Sequence, residues 1–477
     1  MYFLYNNNPV FIQNLLLSFY GYQLKRARYG SHFKKQMKSF KKRETFSVDQ
    51  WRAYQTIELR KLLIHAFSTV PYYHEKYKKD GFTLSNFGKF ELEDLKKLPY
   101  LEKEDFRKFG KTTLLSTKKS RGRFISSSGS TGTPTNTYYS KKFMQTWYAV
   151  YESRVRNWAG VDLNMKRGMI GGKKIINKVN ALPPYYRFNF AEKQTYFSAY
   201  HISKHTIKNY VKGLIENKVE YMVGYAFSNF QLANLIIENK IKAPKLKAVL
   251  TSSEKLTNEM REILSKAYDC KIFDSYSGVE SCGLISENMD GDLLFSLDTG
   301  IMEVLDVNGN DINHGEEGEV VSTGLLNFDQ PLIRYKIGDR VKISKNQKTK
   351  SGFNLLKIDE ISGRVEDYII GIEGRKIVRF HSLFIDIKGL LMGQVVQEKL
   401  NYFTINIVIT KNYIKSNDLL IINRLKNQIS KHIEIKINCV KKIPLNKNGK
   451  FQAIISKLKK ENEKEKYLDT QSNSRHV

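Results

Sequence analysis

One segment of the chain consists almost wholly of small or hydroxylated residues: Ser126-Ser127-Ser128-Gly129-Ser130-Thr131-Gly132-Thr133-Pro134-Thr135. Small residues let the backbone approach a phosphate closely, and successive backbone N–H groups and hydroxyls can ring its oxygens. The Gly-Lys-Ser/Thr of a Walker loop is absent, so any phosphate cradle here is of another kind. A flexible Ser/Gly linker is the competing account. It fits less well, because Phe124-Ile125 precede the segment and no other stretch is Ser/Gly-rich.

Four further segments carry residue types suited to a nucleotide. Asp274-Ser275-Tyr276-Ser277-Gly278-Val279-Glu280 follows the apolar run Lys271–Phe273. It should therefore sit at the carboxyl end of a strand, where ligands bind in open α/β sheets. An aromatic ring there can stack on a base, and a carboxylate can ligate Mg²⁺ between phosphates. In Arg334-Tyr335-Lys336-Ile337-Gly338-Asp339, Asp339 could accept two hydrogen bonds from ribose hydroxyls, although a turn Asp after Gly is the plainer account when taken alone. The other two are Gly363-Arg364-Val365-Glu366-Asp367-Tyr368-Ile369 and Ile443-Pro444-Leu445-Asn446-Lys447-Asn448-Gly449-Lys450. Lys450 follows a Gly in a loop and would be a mobile point charge. For any one of so many lysines, a solvated surface role is the default.

These segments need a scaffold. Gln55–Phe67 has helical periodicity and ends near Pro71, and Leu98–Phe109 adds a short helix after Pro99. Between about 140 and 320, helical patterns at Tyr210–Ile215 and Phe230–Ile237 alternate with apolar runs at 247–250 and 271–273, which implies a layered α/β core. Glu319–Ser322 and Arg340–Ile343 predict a β-rich subregion. From about 362 the pattern changes to strand, helix and strand at Phe403–Ile409, Leu419–Ile429 and Ile433–Val440, a small α+β unit. The expected division is an amphipathic, basic arm at 1–43, a core at 44–361, a C-terminal lid at 362–460 and a polar tail at 461–477. In the arm, Ile12, Leu15, Leu16 and Phe19 form a helical apolar stripe followed by basic residues. Such a pattern can lie on an anionic membrane. The stripe is short, which favours a helix packed on its own domain with its charged flank in water.

Composition sets outer limits. The chain has 477 residues, 41% hydrophobic and 12% aromatic, which excludes global disorder. With 79 Lys and Arg against 48 Asp and Glu, the net charge is +31. A polyanionic partner is one explanation. Dispersal of the basic residues along the chain favours a solvated Lys-rich surface instead, and no nucleic acid is expected. Cys270, Cys282 and Cys439 lack metal-type spacing and suit a reducing compartment. The histidines show no HExxH spacing, which argues against a zinc enzyme. No signal peptide or bilayer-spanning segment is evident, so a cytoplasmic location is expected, at most peripheral to the inner membrane face.

In order and spacing, the five segments together resemble the adenylate-forming superfamily. More narrowly they are similar to the phenylacetate–CoA ligase family and its capsular-polysaccharide (CapK) branch. Val70-Pro71-Tyr72-Tyr73, Leu98-Pro99 with Lys103, Ser198-Ala199-Tyr200-His201, Gln394-Val395-Val396-Gln397 and Gly449-Lys450-Phe451 fit the same branch, and the resemblance covers roughly residues 9 to 458. It implies that Ser127, Ser128, Gly129, Ser130, Thr131, Gly132 and Thr133 wrap the ATP phosphates, with Thr131 and Lys450 catalytic. Ser253 and Glu254 would border the adenine pocket, and Asp274, Ser275 and Ser277 would also bind the nucleotide, the hydroxyl of Ser275 or Ser277 being available to replace a missing donor to the α-phosphate. Tyr276 would stack on adenine, Glu280 would hold Mg²⁺, and Asp339 would bind the ribose with Arg364 nearby. Lys450 would reach the carboxylate and the α-phosphate, and a hinge near Ser362–Arg364 would let the small domain rotate between half-reactions. The family usually has Gly and Thr where this chain has Ser277 and Val279, which removes one hydroxyl donor to the α-phosphate.

The implied reaction uses ATP and Mg²⁺ to convert a carboxylic acid to an acyl-adenylate, which is then passed to a thiol such as CoA. The alternatives are transfer to a sugar or amine in surface-polysaccharide synthesis, a basic protein that binds nucleic acid or membrane without ATP turnover, and a non-catalytic relative, which Val279 would suit. Tyr138, Trp147, Tyr200 and Tyr225 are candidates for an aromatic wall of the acid pocket.

Overall fold

Apolar runs of four or five residues recur where the chain builds parallel strands. A computed structural model describes residues 5, 6, 8–126, 135–176, 181–364, 369–371, 376, 377, 383, 384, 387–444 and 451–458. The chain forms two units, Met1–Ile361 and Ser362–Val477.

The first unit is organised on a twelve-stranded sheet. Its centre is five parallel strands: β3 (Arg167–Gly171), β5 (Gln194–Ser198), β6 (Tyr221–Tyr225), β7 (Ala248–Ser252) and β8 (Lys271–Tyr276). They lie in the order β8-β7-β6-β3-β5, and β4 (Tyr186–Asn189) closes that edge antiparallel. These strands are buried on both faces, as parallel sheets covered by helices must be. On one face Met222, Val249 and Ile272 pack under Tyr210, Leu214, Leu232, Ala233, Ile236, Leu264 and Tyr268. Those side chains come from α8 (Ile207–Glu216), α9 (Ala226–Glu238) and α10 (Asn258–Tyr268). On the other face the alternate residues Tyr221, Val223, Ala248, Leu250 and Phe273 meet Phe33, Phe40, Ala149 and Val150. Beyond β8 the sheet becomes antiparallel through β9 (Ile285–Glu287), β10 (Leu293–Phe295), β14 (Leu356–Arg364), β13 (Tyr335–Ile343), β12 (Glu317–Gly324) and β11 (Gly300–Leu305). That half is the β-rich subregion expected from the sequence. A separate hairpin, β1 (Gly122–Ser126) with β2 (Asn136–Ser140), pairs Ser126 with Asn136.

The segment 1–43 contributes two helices packed on the first unit, α1 (Val10–Arg28) and α2 (Ser31–Arg43), the packing that the shortness of the stripe favours. Helix α2 is held by burial of Phe33 and Phe40 and by Arg43 Nε, which meets the buried Asp298 carboxylate at 2.9 Å. The expected stripe of α1 is not the face that packs. Gln13, Leu17, Gly21 and Leu24 are buried, while Ile12, Leu15 and Phe19 face solvent. The helix expected over Leu98–Phe109 starts only at Lys103, because Leu101 forms a bridge with Tyr335 and holds the chain extended. The helix expected over Gln55–Phe67 is longer, Val48–Thr69, opened by a Ser47–Gln50 capping box.

The second unit is a four-stranded sheet ordered β19 (Glu434–Cys439), β18 (Tyr402–Ile409), β17 (Leu390–Lys399) and β20 (Ile454–Ser456), with α11 (Asn417–Gln428) packed on it through Ile421 and Leu425. Gln397 is fully buried. Its side chain accepts from Ile370 N at 2.9 Å and from Ser456 Oγ at 2.8 Å, which joins three segments of the unit.

Candidate active site

The carboxyl ends of β6, β7 and β8 lie side by side, and the sequence places Tyr225, Ser253-Glu254 and Tyr276 to Glu280 there. Chain order reverses between β3 and β6: β3 leads toward the β5 edge, whereas β6 leads toward β7. Crevices at such a switch point are where open α/β sheets bind ligands. Backbone geometry is unusual here. Gly224 has φ 132°, and a Cβ at that position would lie 1.8 Å from the Ile170 carbonyl oxygen, so only glycine fits. Ser253, Ser281 and Arg334 are non-glycine residues at φ 70°, 51° and 50°. All three fall in or beside segments singled out by sequence, where strain is commonly held in place by function.

Tyr276 and Asp339 meet directly. The phenol donates to Asp339 Oδ2, and both burial and this carboxylate hold the phenol well above its ordinary pKa. The ring at the end of β8 is thus tethered by its hydroxyl to β13. Four residues beyond Tyr276, Glu280 Oε1 accepts from Thr135 Oγ1 at 2.9 Å. Thr135 is buried and closes the Ser/Thr/Gly segment, so that segment ends beside Glu280. A Cβ at Gly278 would come within 2.3 Å of the other Glu280 oxygen, so the glycine leaves room for the carboxylate to fold back. Tyr139, on β2, donates to the Val279 carbonyl at 2.8 Å and shares a hydrogen bond with Ser281 Oγ. A narrow cavity beneath is lined by Tyr276, Gly278, Glu280, Ser322 and Ile337.

The remaining expected residues divide. Glu254 Oε2 accepts from Phe227 N at 2.9 Å, which satisfies an orphan N–H at the start of α9. Asp274 accepts from Thr251 Oγ1 at 3.1 Å and Ser275 N at 2.9 Å, and burial raises its pKa to about 7. Ser275 Oγ donates to the Thr251 carbonyl at 3.1 Å, and Ser277 Oγ to the Gly283 carbonyl at 2.9 Å. These two hydroxyls therefore already serve the local backbone. Ser127, Ser128, Gly129, Ser130, Thr131, Gly132, Thr133 and Lys450 lie outside the described residues, and Arg364 is described only as the last residue of β14. Gln452 and Ala453, just after Lys450, are fixed on β17 by Gln394 Nε2 to the Gln452 carbonyl and Val395 N to the Ala453 carbonyl, each 2.8 Å.

Of the aromatic candidates, Tyr200 and Tyr225 stand half-buried at the carboxyl edge. Tyr225 lies within electrostatic range of Glu254 and Tyr200, and its phenol is raised by burial. Tyr138 instead bonds the Ser120 carbonyl at 2.9 Å and packs on Phe124, and Trp147 packs on the core. Sequence reasoning missed Tyr139 and Gly224 as site residues, and it quoted Thr135 in the hydroxyl-rich segment without giving it a role. The alternation of β2, which sends Thr137 and Tyr139 to one side and Tyr138 to the other, was the available signal for Tyr139.

The residues present fit a hard cation at Glu280. Mg²⁺ keeps several waters and takes one or two carboxylates plus substrate phosphates. The Glu280 carboxylate, bonded to the last residue of the hydroxyl-rich segment, could supply one such ligand. Among the described residues, no group of three or more His, Cys, Asp or Glu side chains could enclose a metal by itself.

The chain is similar to known proteins along most of its length. Residues 369–457 match the CapK C-terminal domain family. The chain is 27% identical over 467 residues to Protein CapK of Staphylococcus aureus, covering 96% of this chain and 99% of that one. It is 25% identical over 345 residues to a phenylacetate-coenzyme A ligase of Escherichia coli (strain K12), covering 69% and 74%. Its fold matches that of 2-hydroxyisobutyryl-CoA ligase, solved in the postadenylation state with an acyl-AMP, at TM-score 0.66 and 17% identity over 90% of this chain and 94% of that one.

Proposed function

We propose that this chain, a member of the CapK branch of the phenylacetate–CoA ligase family within the adenylate-forming proteins, is an acid-activating ligase. A carboxylate oxygen attacks the α-phosphorus of ATP, the bond to the bridging oxygen breaks, and pyrophosphate leaves. The acyl-adenylate is then attacked by a thiol such as CoA, and AMP departs. The protein supplies alignment and charge neutralisation rather than a covalent nucleophile.

The supporting observation is the convergence of three distant segments: Tyr276 on Asp339, with Glu280 four residues on and bonded to Thr135. Tyr276 offers a ring for the base and Asp339 a carboxylate beside it for the ribose. Ser127 to Thr133 lead into Thr135 and would wrap the phosphates, while Ser253 and Glu254 would border the base. Glu280 would hold Mg²⁺, which supplies charge neutralisation on the departing pyrophosphate. Arg364 would lie near the ribose with Asp339, and Lys450 would stabilise charge developing at the α-phosphate.

A second account keeps the adenylation and changes the acceptor. The CapK relative matches nearly the full chain, whereas the E. coli ligase matches 69% of it. That difference favours weighing a sugar or amine acceptor in surface-polysaccharide synthesis. Mass spectrometry of reactions with ATP, Mg²⁺ and a panel of acids tests the shared step by the appearance of acyl-AMP. Adding CoA then separates the accounts. AMP release with thioester formation supports the ligase, and an adenylate that CoA leaves untouched supports the other acceptor.

A further inference from the structure

Helix α1 is apolar on two opposite faces. One face packs: Gln13, Leu17, Gly21 and Leu24 are buried, and the helix is stitched to β4 by Asn14 Oδ1 accepting from Phe188 N at 3.0 Å and to the residue just after β4 by Ser18 Oγ accepting from Phe190 N at 2.9 Å. The opposite face carries Phe11, Ile12, Leu15, Phe19 and Tyr22, spaced over three turns and 66%, 38%, 47%, 62% and 52% exposed. Ser18 brings Phe190, itself 55% exposed, alongside this stripe. A run of exposed aromatic and aliphatic side chains on one ordered helix marks an interaction surface.

Charge identifies the occupant. Residues 1–43 hold nine Lys or Arg and no Asp or Glu; the first acidic residue is Glu44. Arg28 and Arg43 are consumed internally by Glu192 and Asp298. Lys25 and Arg26 extend the exposed side of α1, and α2 turns Lys34, Lys35, Lys38, Lys41 and Lys42 to solvent. The Gln145 side chain joins the two helices, donating to the Ala27 carbonyl at 3.2 Å and accepting from Phe33 N at 3.1 Å. The apolar stripe and the basic face are therefore neighbouring surfaces of the first unit. No helix among the described residues is long and apolar enough to cross a membrane. An apolar stripe with flanking lysines, on a helix anchored by its other side, matches a surface that lies in an anionic lipid headgroup layer.

We infer that α1 and α2 dock the chain on anionic membrane, with Phe11, Leu15 and Phe19 inserted among the lipid chains and the lysines of α2 on the headgroups. The inference does not depend on the reaction proposed above. The test is sedimentation of the full chain with phosphatidylcholine vesicles, with and without one third phosphatidylglycerol. Binding should appear only with the anionic lipid and weaken as salt rises. The Lys34→Glu/Lys35→Glu/Lys38→Glu variant should bind on the order of 100-fold more weakly, at about five-fold per basic residue. The Phe11→Ser/Leu15→Ser/Phe19→Ser variant should bind at least about ten-fold more weakly. All six side chains are solvent-facing, so circular dichroism should be unchanged in both variants. Equal binding to neutral vesicles, no binding, or an unaffected stripe variant overturns the inference. So does a wild-type dimer that the stripe variant dissolves, which would make the stripe a contact between copies.

Discussion

The Tyr276 hydroxyl donates to the Asp339 carboxylate across 63 positions of sequence, tying the end of a parallel strand to an antiparallel one. The ring proposed to stack on the base and the carboxylate proposed to bind the ribose are thereby oriented as one unit. Tyr276→Phe keeps the ring and removes the tether. The expected result is a KM for ATP raised about ten-fold with kcat little changed, the scale of a hydrogen bond to a charged group. Because the two side chains act together, Asp339→Asn and the double variant should be non-additive by about 1 kcal/mol or more. Additive losses would mean that the two residues act separately.

Glu280 and Thr135 give a prediction about metal. Glu280→Gln should raise the Mg²⁺ concentration for half-maximal activity by roughly ten-fold or more, on the scale of losing one carboxylate ligand. Thr135→Val leaves the carboxylate in place and removes its hydroxyl donor, so a smaller shift in the same direction is expected. Magnesium titrations of both variants check this. An unchanged titration in Glu280→Gln would remove the metal from this residue.

Asp274 makes stability depend on pH. Burial raises its pKa from 3.8 to about 7. The folded chain therefore binds more protons than the unfolded chain between about pH 4 and 7. This group's contribution falls as pH rises through that window and is level above it. Asp274→Asn removes that slope. Its stability relative to the wild type should improve by on the order of 2 kcal/mol between pH 5 and pH 8, read from urea midpoints. A constant difference at the two pH values would contradict the shifted carboxyl.

Gly224 tests the crevice itself. A Cβ there meets the Ile170 carbonyl at 1.8 Å and the backbone is at φ 132°, so Gly224→Ala should destabilise the first unit by at least about 2 kcal/mol. A thermal melt unchanged from the wild type would show that β3 and β6 separate at no cost.

Much of the core was legible because its parallel strands are continuous apolar runs. Ala248-Val249-Leu250 and Ile272-Phe273 are buried on both faces, and the residues after β8 fall at its carboxyl end as expected. Helix α1 was legible as a helix but not in its orientation. Its packed face includes Gln13, whose side chain is partnered by Arg187, and Gly21, where a Cβ would lie 2.2 Å from Asn189 Nδ2. Those partners lie more than 160 positions away, so local hydrophobicity pointed to the opposite face. The same limit applies in the site. Thr135, Tyr139 and Gly224 act through Glu280, Val279 and Ile170, contacts that only the folded chain brings together. Ser275 and Ser277, attractive as spare hydroxyls, are occupied by backbone carbonyls that the sequence could not reveal.

The central claim is that the chain activates a carboxylic acid on ATP, and isotope exchange between pyrophosphate and ATP measures it most directly. With Mg²⁺ and a panel of carboxylic acids, at least one acid should drive exchange, and Lys450→Ala should lower the rate by about 100-fold or more. Exchange that no acid elicits, or that is as fast in Lys450→Ala as in the wild type, would contradict the account.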